Sequence, residues 1–232
     1  GGDTEAMIDA AYTGWRADKL AGIATVLIAD SNESVHALNQ RARADLILDG
    51  TVDARREVAL QGDARAGVGD RIITRKNDRR LRTPRGWGRN GDRWTFADIR
   101  DDGSLAARRA DSRGTGMLPV EYLSDHVDLG YAVTAHRAQG ITTDTSHVLV
   151  DPSTTRENLY VAMTRGRHTN RVYVATDLPD DNHTTPHPAD DPQATARSIL
   201  YGVMQHVGAE LSAHETITAE QEAWGSVGQL AA

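Results

Sequence analysis

The chain has 232 residues, 39% of them hydrophobic and 25% charged, enough apolar side chain for one sizeable core or two modest ones and too much for disorder over most of its length. No apolar run approaches the ~20 residues of a membrane-spanning helix, and the start GGDTEAMIDA lacks a basic stretch followed by an apolar one, so no membrane insertion and no secretory leader are expected, and the expected location is cytoplasmic. The absence of cysteine excludes disulfides, thiolate zinc sites, iron–sulfur ligation and cysteine nucleophiles.

The formal net charge of −7 is unevenly spread: residues 69–113 carry 13 Lys+Arg against 7 Asp+Glu, whereas residues 177–232 carry one arginine, Arg197, against nine acids. A basic module lies between acidic ones. Lys19 and Lys76 are the only lysines, and arginine favours bidentate phosphate contacts.

Met7, Ile8, Ala11, Tyr12 and Trp15 recur at three- and four-residue steps, which predicts an amphipathic helix over 4–18. Ile23 to Ala29 is short, rich in β-branched residues and without alternation, the pattern of a buried parallel strand. Asp30-Ser31-Asn32 caps a helix whose inward stripe is Val35, Leu38, Ala42 and Leu46, stopping at Asp49-Gly50, and a loop follows to residue 67. Ligands of βα units sit beyond the carboxyl ends of strands. Ser31 and Asn32 are therefore either plain caps or ligand contacts.

From Gly69 the texture changes to short runs, Asp70 to Arg75, Arg93 to Arg100, Ser104 to Ala110 and Met117 to Leu123, with turns at Asn90-Gly91 and Asp101-Asp102-Gly103. This predicts a small SH3-like β-barrel over 68–126. Its loop from Arg75 to Arg82 is basic, with Trp87 and Trp94 nearby. Arg79 and Arg80 either grip a single strand, with the tryptophans as stacking platforms worth ~1–3 kcal/mol per base, or belong to a solvated loop over core tryptophans.

Val127 to Thr134 reads as a strand and Ser146 to Val150 as another, joined by a polar turn from Ala135 to Gly140. Thr134, His136, Arg137 and Gln139 offer hydrogen-bond donors there, and Gly140 lets a backbone approach a ligand, a set that suits phosphate or sugar. Thr154 with Glu157 reads as the capping box of a helix running to about Thr164. Arg165-Gly166-Arg167 ends it, as cations at a helix C-terminus or as ligand contacts. Arg171 to Thr176 alternates as a closing strand, the Pro-rich stretch LPDDNHTTPHPADDP predicts a linker over 178–191, and 192–232 read as a helical, acidic tail. No metal site is expected.

Tyr131-Ala-Val-Thr-Ala-His136-Arg-Ala-Gln139-Gly140, followed about twenty residues later by Leu159-Tyr-Val-Ala-Met-Thr164-Arg165-Gly-Arg167, resembles motifs V and VI of superfamily I helicases of the RecD-like branch. Together with Gly69-Asp-Arg-Ile-Ile-Thr-Arg-Lys-Asn-Asp-Arg-Arg-Leu and Asn90-Gly-Asp-Arg-Trp, the string resembles the helicase region of MobF-type conjugative relaxases, the TraA/TraI-like proteins of actinobacterial plasmids. Val26 to Arg43 is similar to that family's motif IV region, with Ala29-Asp30-Ser31-Asn32 where Ala-Pro-Thr-Asn is common.

The resemblance implies an α/β fold of RecA-like (P-loop NTPase) type over 1–67 and 127–177, the second half of a motor, with the SH3-like barrel inserted at 68–126. It implies an arginine finger at Arg165, worth ~10³ to 10⁵ in turnover, nucleotide contacts at Gly140, Thr142 and Arg167, and DNA contacts at Ser31, Asn32, Thr134, His136, Arg137 and Gln139. Thr142 stands where many relatives carry glutamate near the ribose, and Arg137 replaces a more usual lysine. Neither Gly-x-x-x-x-Gly-Lys-Ser/Thr nor an apolar strand ending in Asp-Glu occurs. ATP with magnesium is therefore expected only in the complete protein, and the isolated chain is expected to hydrolyse none. Implied partners are single-stranded DNA, the N-terminal RecA-like half of the same polypeptide, and relaxosome or type IV secretion components. Two alternatives stay open: a degenerate, non-catalytic RecA-like scaffold that binds single strands or relaxosome partners, and an independent barrel that binds protein.

Overall fold

Asp3 opens the first helix, its side chain accepting from the Ala6 amide, and α1 (Thr4–Leu20) buries Ala11, Tyr12 and Trp15 as the apolar spacing requires; the structure is a computed structural model that describes residues 1–83, 86–110, 115–177 and 194–208, with side chains omitted over 82–87. β1 (Thr25–Ala29) is buried at every position, and α2 (Asn32–Leu48) follows with Ser31 as its cap. β11 (Ala132–Thr134), β12 (Thr143–Val150) and β13 (Gly166–Val174) join β1 in a four-stranded, wholly parallel sheet of order β11-β1-β12-β13. The chain is thus α/β around a parallel sheet.

Helices cover both faces, which is why β1 and the second half of β12 are buried without alternation. Leu27, Ala29 and Leu149 pack with Tyr12, Trp15, Leu38 and Ala42 of α1 and α2. Val26, Ile28, Val148 and Val150 pack with α5 (Arg156–Met163) and α6 (Ala196–Gln205) through Leu159, Ala162, Ile199 and Val203. The described part of the predicted tail is therefore a helix docked on the sheet.

Between α2 and β11 lie a hairpin, β2 (Asp53–Ala59) with β3 (Arg65–Val68), and a five-stranded antiparallel sheet. That sheet orders β10 (Val127–Leu129), β4 (Arg71–Thr74), β7 (Arg93–Ile99), β8 (Leu105–Arg109) and β9 (Thr115–Leu118). β5 (Asp78–Thr83) pairs with β6 (Gly86–Gly88) beside it, and α3 (Val120–His126) leads into β10. Gly91 and Gly103 sit at φ +86° and +78° in the expected turns.

Five sequence expectations are corrected at element level. The loop to residue 67 holds the β2–β3 hairpin. Arg75 to Arg82 is largely strand β5 rather than loop. The run from Met117 ends as a strand at Leu118, since Pro119 starts α3. Val127 to Thr134 is two strands in two sheets: Gly130 passes so close to β4 that a Cβ there would lie 3.1 Å from the Ile72 carbonyl carbon. The cap of α5 is Thr155, accepting from Asn158, while the Thr154 hydroxyl bonds Asp151. The predicted linker, 178–191, and residues 209–232 of the tail fall outside the described residues.

The two sheets are joined by a buried carboxylate. Asp70, wholly buried, accepts from Arg43 Nε at 2.9 Å, the Gly67 amide at 2.8 Å and the Tyr131 hydroxyl at 2.5 Å. Arg43 also pairs with Glu57 of the hairpin. Burial, then the Asp70 charge, pushes the Tyr131 phenol far above its ordinary range.

Candidate nucleic-acid interface

The carboxyl ends of β1 and β11 lie level, Ala29 beside Thr134. Each is followed by a capped helix. Ser31 Oγ accepts from the Ser34 amide at 3.0 Å, and Thr134 Oγ1 accepts from the Arg137 amide at 3.4 Å to cap α4 (Ala135–Ala138). Both hydroxyls act as caps. Asn32, His136 and Gln139 are exposed.

Arg137 points toward the antiparallel sheet, its Nη1 3.9 Å from Asp128 Oδ2, and the same oxygen pairs with Arg75 from the end of β4. These groups wall a cavity of about 270 Å³ at the junction of the two sheets, with Asn32, His36 and Gln61 on its rim. Buried Asn39 fixes the geometry: its Oδ1 accepts from the Tyr131 and Ala132 amides at 3.0 and 2.9 Å, and its Nδ2 donates to the Leu129 carbonyl at 3.3 Å. Of the residues predicted to touch DNA, Asn32 and Arg137 are brought together here. Arg75, from the basic run of the sequence, joins them, and His36, Gln61 and Asp128, which also line the cavity, carried no signal in the sequence.

Arg79 and Arg80 stand exposed on β5, with Arg80 held by its amide and Nε to Asp78 Oδ1 at 2.8 and 3.3 Å. With Lys76 they line a second cavity, of about 730 Å³, whose other wall is α3 through Tyr122, Asp125 and His126. Arg75 and Lys76 are consecutive and line the first and second cavities respectively, so a seam of five cations, Arg75, Lys76, Arg79, Arg80 and Arg137, runs along the two cavities with Asp78, Glu121, Asp125 and Asp128 among them. Trp94 is 1% exposed, a core residue rather than a stacking platform; the Trp87 side chain lies outside the described residues.

Gly140, Thr142, Arg165 and Arg167 gather at the other end of the sheet. Thr143, the first residue of β12, faces Gly166, and its amide donates to the Arg165 carbonyl at 2.9 Å. The length of β1 separates this edge from Thr134, about 13 Å at the usual rise. Arg165 lies across the turn that holds Gly140: Nε donates to Val161 O at 2.8 Å, Nη1 to Ala138 O and Ile141 O at 3.4 and 3.3 Å, and Nη2 to Thr164 Oγ1 at 2.8 Å. Of five guanidinium N–H groups, one on Nη2 remains without a partner among the described residues. Gly166 is dictated by space, since a Cβ would meet Thr169 O at 2.4 Å. Gly140, at φ +78°, faces open space, and Thr142 and Arg167 are exposed. The edge can meet a phosphate presented from outside.

Two further polar groups stiffen the sheet. His147 is wholly buried, with Nε2 2.8 Å from Asp18 Oδ2 and Nδ1 2.8 Å from the Tyr173 hydroxyl. Burial holds its imidazole below the ordinary range, against the upward pull of Asp18. Asp30, read from sequence as a cap of α2, instead accepts from Asn158 Nδ2 at 2.5 Å and the Thr155 amide at 3.3 Å at the start of α5, and burial pushes its carboxyl up. Among the described residues no group of three or more His, Asp or Glu could hold a metal ion, and no helix is long and apolar enough to cross a membrane.

No protein-family model matches the chain. It is 37% identical over 87 residues to an uncharacterized protein of Mycobacterium tuberculosis strain H37Rv, covering 37% of this chain and 50% of that protein. It is 33% identical over 150 residues to the probable conjugal transfer protein TraA of Sinorhizobium fredii, covering 64% of this chain and 13% of TraA, and 28% identical over 160 residues to TraA of Agrobacterium fabrum, covering 68% and 14%. The chain thus spans half the length of the mycobacterial relative and a small part of TraA. Among solved structures, a Bacteroides Pif1 helicase in complex with ADP-AlF3 and single-stranded DNA aligns at TM-score 0.47 and 16% identity, over 65% of this chain and 41% of that one. The sequence comparisons show homology to a segment of the TraA conjugal transfer proteins.

Proposed function

We propose that the chain is the second RecA-like half of the helicase region of a MobF-type conjugative relaxase, of the RecD-like branch, and that its basic seam holds single-stranded DNA. One observation carries this reading: Asn32, Arg75 and Arg137 converge on a single cavity beyond the carboxyl ends of β1 and β11, where ligands of open parallel sheets bind, in a chain homologous to part of TraA. The antiparallel sheet between α2 and β11 takes the part of the inserted SH3-like barrel. Arg165, Gly140, Thr142 and Arg167 face ATP and magnesium held by an upstream half of the same polypeptide, which supplies the phosphate loop and the metal-binding carboxylates. The remaining partners are relaxosome or type IV secretion components in the cytoplasm.

A second reading, the non-catalytic scaffold, is favoured by Arg165 itself, because four of its N–H groups are spent within its own fold. Co-expression with the upstream half and measurement of DNA-stimulated ATPase separates the two. A finger at Arg165 predicts that Arg165→Ala lowers turnover by orders of magnitude with single-strand affinity near normal. A complex that binds single strands and hydrolyses nothing, with Arg165 intact, supports the scaffold.

A further inference from the structure

The junction cavity is more specific than a phosphate track needs. Its floor is apolar, from Val35, Ala64 and Leu129, and its rim carries the carboxamides of Asn32 and Gln61 and the His36 imidazole, with Arg75 and Arg137 along one wall. At about 270 Å³ it falls just under the ~300–1,000 Å³ of small-molecule pockets, room for a ring rather than a whole nucleotide.

Single-strand grooves that accept any base do so through aromatic stacking, since every base has a π-face. Among the described residues no Trp, Tyr or Phe lines this cavity. A base entering it meets hydrogen-bonding edges instead, and edges discriminate. Asn and Gln carboxamides match the donor–acceptor pair of the adenine N6/N7 edge, which thymine, with O4 and a methyl group on that edge, lacks.

Resting on the reading that the seam holds single-stranded DNA, we infer that the junction cavity receives one nucleobase of the bound strand and prefers adenine to thymine. The phosphates flanking that base lie on Arg75 and Arg137. Binding is therefore base-selective at one position and electrostatic elsewhere along the seam.

The test is fluorescence anisotropy of the full 232-residue chain with oligothymidylate strands in which one internal position, scanned along the strand, is adenine, thymine or abasic. The adenine strand should bind roughly five- to tenfold more tightly than the abasic one at one register, with thymine near the abasic value. Combined His36→Ala and Gln61→Ala, both at exposed positions, should bring the three strands together without changing the salt dependence. Ala64→Leu, which fills the floor, should do the same. Equal binding of all three strands by the wild-type chain overturns the inference and leaves the single-strand reading standing. Binding of no strand overturns both.

Discussion

Arg137 Nη1 lies 3.9 Å from Asp128 Oδ2, so a residue of the crossover between β11 and β12 meets β10, the edge strand of the antiparallel sheet. Arg75 pairs with the same carboxylate, and all three side chains keep between 22% and 30% of their exposure. The wall of the cavity is thus two cations sharing one anion.

That anion competes with phosphate. Asp128→Asn should raise single-strand affinity severalfold at low salt and steepen the salt dependence, because partly exposed pairs are worth only ~1 kcal/mol and both arginines then face the strand unneutralised. Anisotropy at about 50 mM salt reads this directly. Weaker binding would show that Asp128 is needed to aim the arginines.

The cavity stands on Asn39. Asn39→Ala removes the acceptor of two buried backbone amides and should cost about 2–4 kcal/mol, given ~1–3 kcal/mol for each buried donor left unmade. Urea unfolding of variant and wild type measures it. A loss below ~1 kcal/mol would mean that water replaces the carboxamide.

Stability should fall on mild acidification. His147 is neutral in the fold, donating Nε2–H to Asp18 and accepting from Tyr173 at Nδ1, and its folded pKa is depressed. The unfolded ring takes up a proton near pH ~6.5 while the folded one resists, so stability is complete above that pH and declines below it. Asp18 acts in the same direction at lower pH: burial raises it, but hydrogen bonds from Thr145 and His147 outweigh burial and lower it. Melting temperatures between pH 5 and 8 should drop in the wild type and flatten in His147→Gln. An unchanged pH dependence in the variant would contradict this.

Arg165 should matter to the isolated chain as well. Arg165→Ala strips donors from Val161, Ala138 and Ile141 carbonyls and should cost about 1–2 kcal/mol. Arg165→Lys should recover little of that, since an ammonium cannot span three carbonyls as the planar fork does. Full recovery would reduce the role to charge at a helix end.

Much of the parallel core was legible because its signals are local. Ile23 to Ala29 has strand length and no polar face, Ser31 is a cap by residue type, and Gly91 and Gly103 adopt the positive φ their turns call for. The hairpin was hidden because β2, Asp-Ala-Arg-Arg-Glu-Val-Ala, is half-exposed and charged. The division of 127–134 was hidden because both halves are apolar and only close passage at Gly130 separates them. The cavity was the least legible feature. It is assembled from α2, the β2–β3 turn, the end of β4, β10 and α4, and no spacing within a single segment announces such a junction.

Single-stranded DNA held along the seam from Arg137 to Arg80 binds in a salt-dependent way through Arg75 and Arg137. The most direct measurement is the slope of log affinity against log salt for a single-stranded oligonucleotide, with wild type and the double variant Arg75→Ala, Arg137→Ala. Each phosphate neutralised contributes about −0.7 to the slope, so the double variant should show a slope shallower by about 0.7 for each arginine removed, weaker binding at every salt concentration, and unchanged circular dichroism. An identical slope and affinity in the double variant would contradict it.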